Sequence, residues 1–254
     1  MAMATSVPNV GSPPHVAPAT LGADPTLLRQ VPMFAPLGQP SLIRLGAIAA
    51  LGEMEEGVTL CREGDPADKL HVLLAGMVTL SAEAANGRSA VVEVVRPVRH
   101  LILATVLAGL PYAVTAATIT PAKVLVIGAA DLQALLGNDP ALASVVMRAQ
   151  ALDFRAMVRE VCDLKLRTSA ERLGCYLLEL SPDQQGRNSI QLRLPIGKQL
   201  LAARIGCRHE NLSRAFASLR EFGVETHGKR VILHDIQRLR EFALPSRIAA
   251  PKAS

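Results

Sequence analysis

Apolar positions change their spacing several times along the 254-residue chain, and each change marks an element. Leu27, Leu28, Val31, Phe34, Leu37, Leu42 and Ile43 recur at helical intervals and predict a short helical region from Pro25 to Leu51. From Gly57 the texture becomes β-rich: Val58 to Cys61, Leu70 to Leu74, Met77 to Leu80, Ala90 to Val95 and Lys123 to Ile127. Turn residues separate these runs, at Glu63-Gly64-Asp65-Pro66, Ala75-Gly76 and an Asn86-Gly87 hairpin. Several short strands at roughly even spacing predict a small jelly roll. Leu101 to Ala108 interrupts the pattern, being apolar and poor in turn residues where the roll should bend.

Asn138-Asp139-Pro140 then offers a capping residue with proline in the first turn, a helix start. Leu142, Val145, Val146, Ala149, Leu152, Ala156, Val161 and Leu164 follow at three- and four-residue intervals to about Leu166. At ~1.5 Å per residue this helix is about 40 Å long, more than one small domain covers. Its apolar stripe calls for a partner helix, so a homodimer is the economical expectation. The alternative is a helix packed wholly on its own barrel. A further amphipathic helix (Ser169 to Leu180), a polar turn (Ser181 to Asn188) and a strand (Ile190 to Leu194) come next.

Residues 195–222 carry the most specific signal. A short helix with apolar residues at 201, 202 and 205 meets Gly206, and a second begins two or three residues later, apolar at 212, 215, 216 and 219. Two helices joined by a short turn containing glycine make a helix-turn-helix. Gly223-Val224 and Gly228 to Leu233 read as a β-hairpin wing. The fold class is thus α+β: a jelly-roll domain, a long dimerisation helix and a winged helix-turn-helix. The expected division is a disordered arm (1–24), a β-roll domain (25–137), the helix (138–166), a DNA-binding domain (167–245) and a flexible tail (246–254).

Charge sharpens this picture. From Lys165 to Ser254 there are 16 Lys+Arg against 8 Asp+Glu, whereas the preceding residues hold 11 against 14. A basic third on an acidic remainder points to a polyanion at one end. In such a motif the second helix enters the major groove and its first turns reach base edges. His209, Glu210, Ser213 and Arg214 are the expected base readers: Arg suits guanine, Glu suits cytosine and Ser either. The competing reading is a solvated helix with an i,i+4 Glu210–Arg214 pair. Lys198, Arg204, Arg208, Lys229 and Arg230 are the expected phosphate contacts.

The four cysteines, at 61, 162, 175 and 207, form no C-x-x-C pair, which disfavours a disulfide framework and a zinc or iron–sulfur site. Cys61 and Cys207 read as structural. No run reaches ~18 apolar residues and no secretory pattern opens the chain, so a cytoplasmic protein outside the membrane is expected. Gly-x-Ser-x-Gly, P-loop, His-Glu-x-x-His and Gly-x-Gly-x-x-Gly motifs are missing, so no enzyme is expected.

Two segments resemble the Crp/Fnr family of bacterial transcription regulators, and the likeness spans roughly residues 25 to 243. Leu60-Cys61-Arg62-Glu63-Gly64-Asp65-Pro66-Ala67 with Leu70 to Val78 resembles the family's first barrel strands. Leu194 to Gly223 resembles its winged helix-turn-helix. Glu210, Ser213 and Arg214 match the Glu-x-x-Ser-Arg of the Fnr-like branch, which implies TTGA-type half-sites in a palindrome and contact with RNA polymerase. His209 matches neither that branch nor the catabolite-activator branch, so the outer base stays unassigned.

The effector region departs from the family. Cyclic-nucleotide binders carry Gly-Glu and, about nine residues later, Arg-Ser or Arg-Thr; here those positions hold Ile102-Leu103 and Tyr112-Ala113. A cyclic phosphate without its arginine is a buried anion lacking a partner, so neither cAMP nor cGMP is expected to bind. An Fnr-type iron–sulfur cluster would need N-terminal cysteines, and residues 1–60 have none. The apolar cassette, with Leu101, Leu103, Tyr112 and Ala113 as pocket residues, most resembles the nitric-oxide-responsive denitrification regulators. That likeness implies haem, with His100 or then His71 as axial ligand and His15 in the arm. Two other functions remain open: a haem gas sensor whose ligand chemistry is its main activity, and an effector-free DNA-binding module.

Overall fold

The computed structural model describes residues 20–83, 89–181 and 189–243. They form two compact units, 20–83 with 95–149 and 89–94 with 150–243, and the division runs through the long helix. In chain order the first elements are β1 (Thr20–Leu21), α1 (Pro25–Leu28), α2 (Gln39–Ile48), β2 (Ala49–Met54), β3 (Thr59–Cys61) and β4 (Lys69–Ala75). Next come β5 (Val78–Glu83), β6 (Ser89–Val95), β7 (Arg99–Leu101), α3 (Leu103–Ala108), β8 (Thr115–Thr118), β9 (Ala122–Gly128) and α4 (Ala129–Asn138). They build a five-stranded sheet, β1-β2-β9-β4-β7, and a four-stranded sheet, β3-β8-β5-β6. Helix α2 packs on β2, α3 on β4 and α4 on β9. Leu70, Val72 and Leu73 include residues from both faces of β4 and are all fully buried, which gives a continuous apolar run rather than alternation.

The long helix α5 spans Pro140–Leu166, as its periodicity predicts. Its start is fixed by Asp139, whose Oδ1 accepts the Leu142 N–H at 3.1 Å. The same carboxylate, only 3% exposed, receives the Arg44 guanidinium at 2.6 Å. Arg44, with help from Ser41, holds the Asp139 carboxyl down at about 2.

In the second unit α5 leads to α6 (Ser169–Leu180), which opens with a capping box between Thr168 and Glu171. Then follow β10 (Ile190–Arg193), α7 (Lys198–Arg204), α8 (His209–Leu219), β11 (Val224–His227), β12 (Arg230–Leu233) and α9 (Ile236–Ala243). Helices α8 and α9 pack on α6, α7 packs on α8, and β10-β12-β11 form a small antiparallel sheet.

Several expectations are corrected. The arm does not reach residue 24: Thr20 and Leu21 pair with Leu51 and Ala50, and Asp24 caps α1 through the Thr26 N–H. The helical region ends at Ile48, because Ala49 to Leu51 pair with β9. Leu101 to Ala108, where the roll is expected to bend, holds the last residue of β7 and the short helix α3. Strands β2, β7 and β8 and helices α4 and α9 are further elements that the periodicity did not indicate. The arm before residue 20, the Asn86-Gly87 hairpin, most of the polar turn and the tail lie outside the described residues.

Candidate nucleic-acid interface and effector region

The helix-turn-helix is held from inside by Leu201, Ala202, Ile205, Leu212, Ala215, Phe216 and Leu219, all buried. Gly206 turns the chain at φ +63°, a left-handed conformation glycine adopts without strain. A Cβ there would also overlap Leu164 Cδ2. Arg208 is extended and α8 starts at His209.

Opposite the buried stripe, His209, Glu210, Ser213 and Arg214 are all exposed on the first two turns of α8. Among the described residues Glu210 and Arg214 have no ion-pair partner, and the i,i+4 pair of the competing reading is not formed. Lys198, Arg208, Lys229 and Arg230 are exposed around this edge. Arg204 differs from them. Its Nη1 lies 3.4 Å from Glu160 Oε1 on α5 and its side chain is half-buried, so it braces the motif rather than standing free for phosphate.

The wing holds a cluster that the sequence did not reveal. Glu225 accepts from His227 at 2.9 Å and His234 at 3.0 Å, at the edge of a cleft of about 360 Å³ that Arg220 also lines. Both imidazoles hold the Glu225 carboxyl below its ordinary range. Spacing of two residues across one strand is the signal that could have found the first pair.

In the effector region Leu101, Leu103 and Tyr112 are buried in the core, whereas Ala113 is exposed. Ile102 takes φ +50°, an unusual conformation for a β-branched residue. The Tyr112 hydroxyl donates to the Lys69 carbonyl at 2.6 Å and accepts the Lys69 N–H at 3.2 Å. Burial pushes the phenol up to about 12. The residues where the cyclic-nucleotide signature would place Glu and Arg are thus Leu103 and Tyr112, both inside the protein.

The two haem-ligand candidates separate. His71 stands opposite Leu101 and His100 opposite Val72 in the β4–β7 pair, so their side chains leave the sheet on opposite faces. His71 is 6% exposed, and burial, reinforced by Lys69, lowers it to about 4. His100 is only half-buried. His15 lies outside the described residues. Among those residues no group of three or more His, Cys, Asp or Glu could hold a metal ion. Burial raises the Cys61 thiol to about 11 and raises Cys175 and Cys207, which suits structural roles. No helix of the described residues is long and apolar enough to cross a membrane.

Residues 52–139 match the cyclic nucleotide-binding domain family, and residues 171–242 match the Crp-like helix-turn-helix domain family. A CRP-like cAMP-activated global transcriptional regulator of Mycobacterium tuberculosis is 24% identical over 203 residues, covering 76% of this chain and 90% of that protein. A global nitrogen regulator of Synechococcus elongatus is 27% identical over 186 residues, covering 70% and 83%. Among solved structures, FixK2 from Bradyrhizobium japonicum superposes with a TM-score of 0.65 at 20% identity, covering 80% of this chain and all of that one. At that identity the superposition shows the shared fold alone. The relatives are regulators rather than enzymes. The two domain matches, in this order and joined by the long helix, place the chain in the Crp/Fnr family of DNA-binding transcription regulators.

Proposed function

We propose that this chain acts as a homodimer that reads a palindromic site with TTGA-type half-sites, without a cyclic nucleotide. The observation that carries the reading is the unpaired Glu210, Ser213 and Arg214 edge of α8, exposed opposite a fully packed stripe. A structural role for these side chains would have given them partners within the chain. Exposed Lys198, Arg208, Lys229 and Arg230 supply the positive rim that sets register on the phosphates.

Dimerisation follows from the outer face of α5. Met147 (72% exposed), Phe154 (64%), Met157 (57%), Val161 (46%) and Leu164 (48%) are large apolar side chains turned to solvent in the single chain. They recur at seven-residue and alternating three- and four-residue steps, the pattern of a two-stranded seam. Two copies joined there would present two α8 helices to half-sites about one helical turn apart. RNA polymerase is the further partner expected of a regulator at such a site.

For the effector, the packing of Leu103 and Tyr112 supports a region closed to a cyclic phosphate. A second reading, haem, has one favourable observation: His71 is buried and neutral, the form that ligates iron. The space does not fit the macrocycle, because Leu101, Leu103 and Tyr112 belong to the packed core. No step is therefore assigned to haem or to nitric oxide. An absorbance spectrum after addition of haemin checks this: no Soret band that is lost in His71→Ala is expected.

Fluorescence anisotropy with a TTGA palindrome and a scrambled duplex tests the DNA reading. The palindrome should bind at least about a thousandfold tighter, the low end for specific regulators.

A further inference from the structure

We propose that Arg172 is a positioning residue for DNA recognition: it locks the turn of the helix-turn-helix to the end of α5 and so sets the spacing of half-sites that the protein accepts. This rests on the DNA-reading dimer proposed above.

Arg172 lies in the first turn of α6, just after the capping box, and its guanidinium serves three backbone carbonyls. Nη1 donates to the Arg167 carbonyl, Nε to the Ile205 carbonyl at 2.6 Å and Nη2 to the Gly206 carbonyl at 3.2 Å. Arg167 is the first residue past α5, and Ile205 and Gly206 form the turn between α7 and α8. Helix ends leave carbonyls without intrahelical partners. One planar fork here satisfies the ends of two helices at once, which a lysine ammonium cannot do in the same geometry.

Two further contacts run between the same elements. Leu164 lies against Gly206, where a Cβ would meet its Cδ2, and Glu160 pairs with Arg204 at 3.4 Å. Glu160, Leu164 and Arg167 succeed one another at four- and three-residue steps, so they share one face of α5. Leu164 also belongs to the exposed apolar seam. The seam that would join two copies and the contacts that orient the reading helix therefore occupy the same two turns of α5.

The consequence is geometric. A recognition helix fixed to the seam can meet its half-site at only one separation, whereas one on a loose joint tolerates several. The test uses the full chain and palindromes whose half-site separation varies from two base pairs shorter to two longer. Wild type should bind one separation about tenfold or more tighter than its neighbours. Arg172→Met should remain folded, with its thermal midpoint lowered by the loss of these hydrogen bonds, and should keep its affinity for a single half-site, yet discriminate separations by no more than about threefold. Arg172→Lys, which keeps the charge, should fall between the two. Should Arg172→Met prove unstable, Arg172→Lys carries the test alone, since an unchanged separation profile in a folded variant overturns the proposal. A wild type that binds no palindrome at any separation overturns the DNA reading itself, and is told apart by failing before any substitution.

Discussion

Tyr112 is tied to Lys69 twice through one oxygen: its hydroxyl donates to the Lys69 carbonyl and accepts the Lys69 N–H. Its own backbone bonds Asp65 and Gly64, so the residue clamps the loop before β4 to the segment leading into β8. The side chain that the resemblance aligns with the arginine of cyclic-nucleotide binders is here a structural fastener. Tyr112→Phe should cost about 1–2 kcal/mol in urea unfolding through the lost hydrogen bonds. A neutral result would show that the phenol contributes nothing to the fold.

Isothermal titration of the full chain with cAMP and with cGMP should show no heat of binding at micromolar nucleotide. Neither Leu103 nor Tyr112 offers a charge-assisted partner to ribose or phosphate, and an unpaired buried anion costs several kcal/mol. Saturable micromolar binding of either nucleotide would contradict the account of the effector region.

Asp139 joins two jobs, capping α5 and receiving Arg44. Asp139→Ala should cost about 1–2 kcal/mol, whereas Asp139→Asn keeps the cap and should lose less. Because the folded-state carboxyl is held at about 2, below its ordinary 3.8, its contribution is complete above pH 4 and fades as pH falls toward 2. The Asn variant should lack that loss, as denaturant titrations across this range would show.

His71 acts in a different window. Burial lowers it from 6.5 to about 4, so below pH 6.5 the unfolded chain binds the proton that the folded chain refuses. Stability should decline by about 3 kcal/mol between pH 6.5 and 4 and then level off for this group. His71→Leu should remove that limb; a parallel decline in the variant would assign it elsewhere.

Much of this architecture is legible along the chain because its strongest signals are local. Asn138-Asp139-Pro140 and the apolar steps beyond it bracket α5 to within about two residues, and Gly206 punctuates the DNA-binding unit. What stayed hidden depends on distant partners. Ala49 to Met54 has a helix-favouring composition and becomes a strand by pairing with β9. Helix α4 has Gly128 at its N-cap and so no side-chain cap to announce it. Arg204 resembles the other basic residues until Glu160, remote in sequence, is found beside it. His71 and His100 look equivalent until strand register sends them to opposite faces.

The exposed seam of α5 makes its own prediction. Met157→Glu places a charge among Phe154, Val161 and Leu164, and light scattering should find monomers at concentrations where wild type is dimeric. Palindrome affinity should drop about a hundredfold or more, because two linked half-site contacts become one. A wild-type chain that is monomeric throughout would contradict the dimer.

The most direct measurement is competition anisotropy on a TTGA palindrome, wild type beside Arg214→Ala, each challenged with the scrambled duplex and with half-sites changed at the guanine. Wild type should prefer the palindrome strongly, and Arg214→Ala should lose about 1–3 kcal/mol while no longer distinguishing the altered guanine. Equal affinity of wild type for palindrome and scrambled DNA, or an alanine variant with unchanged preference, would contradict the assignment of the α8 edge to base reading.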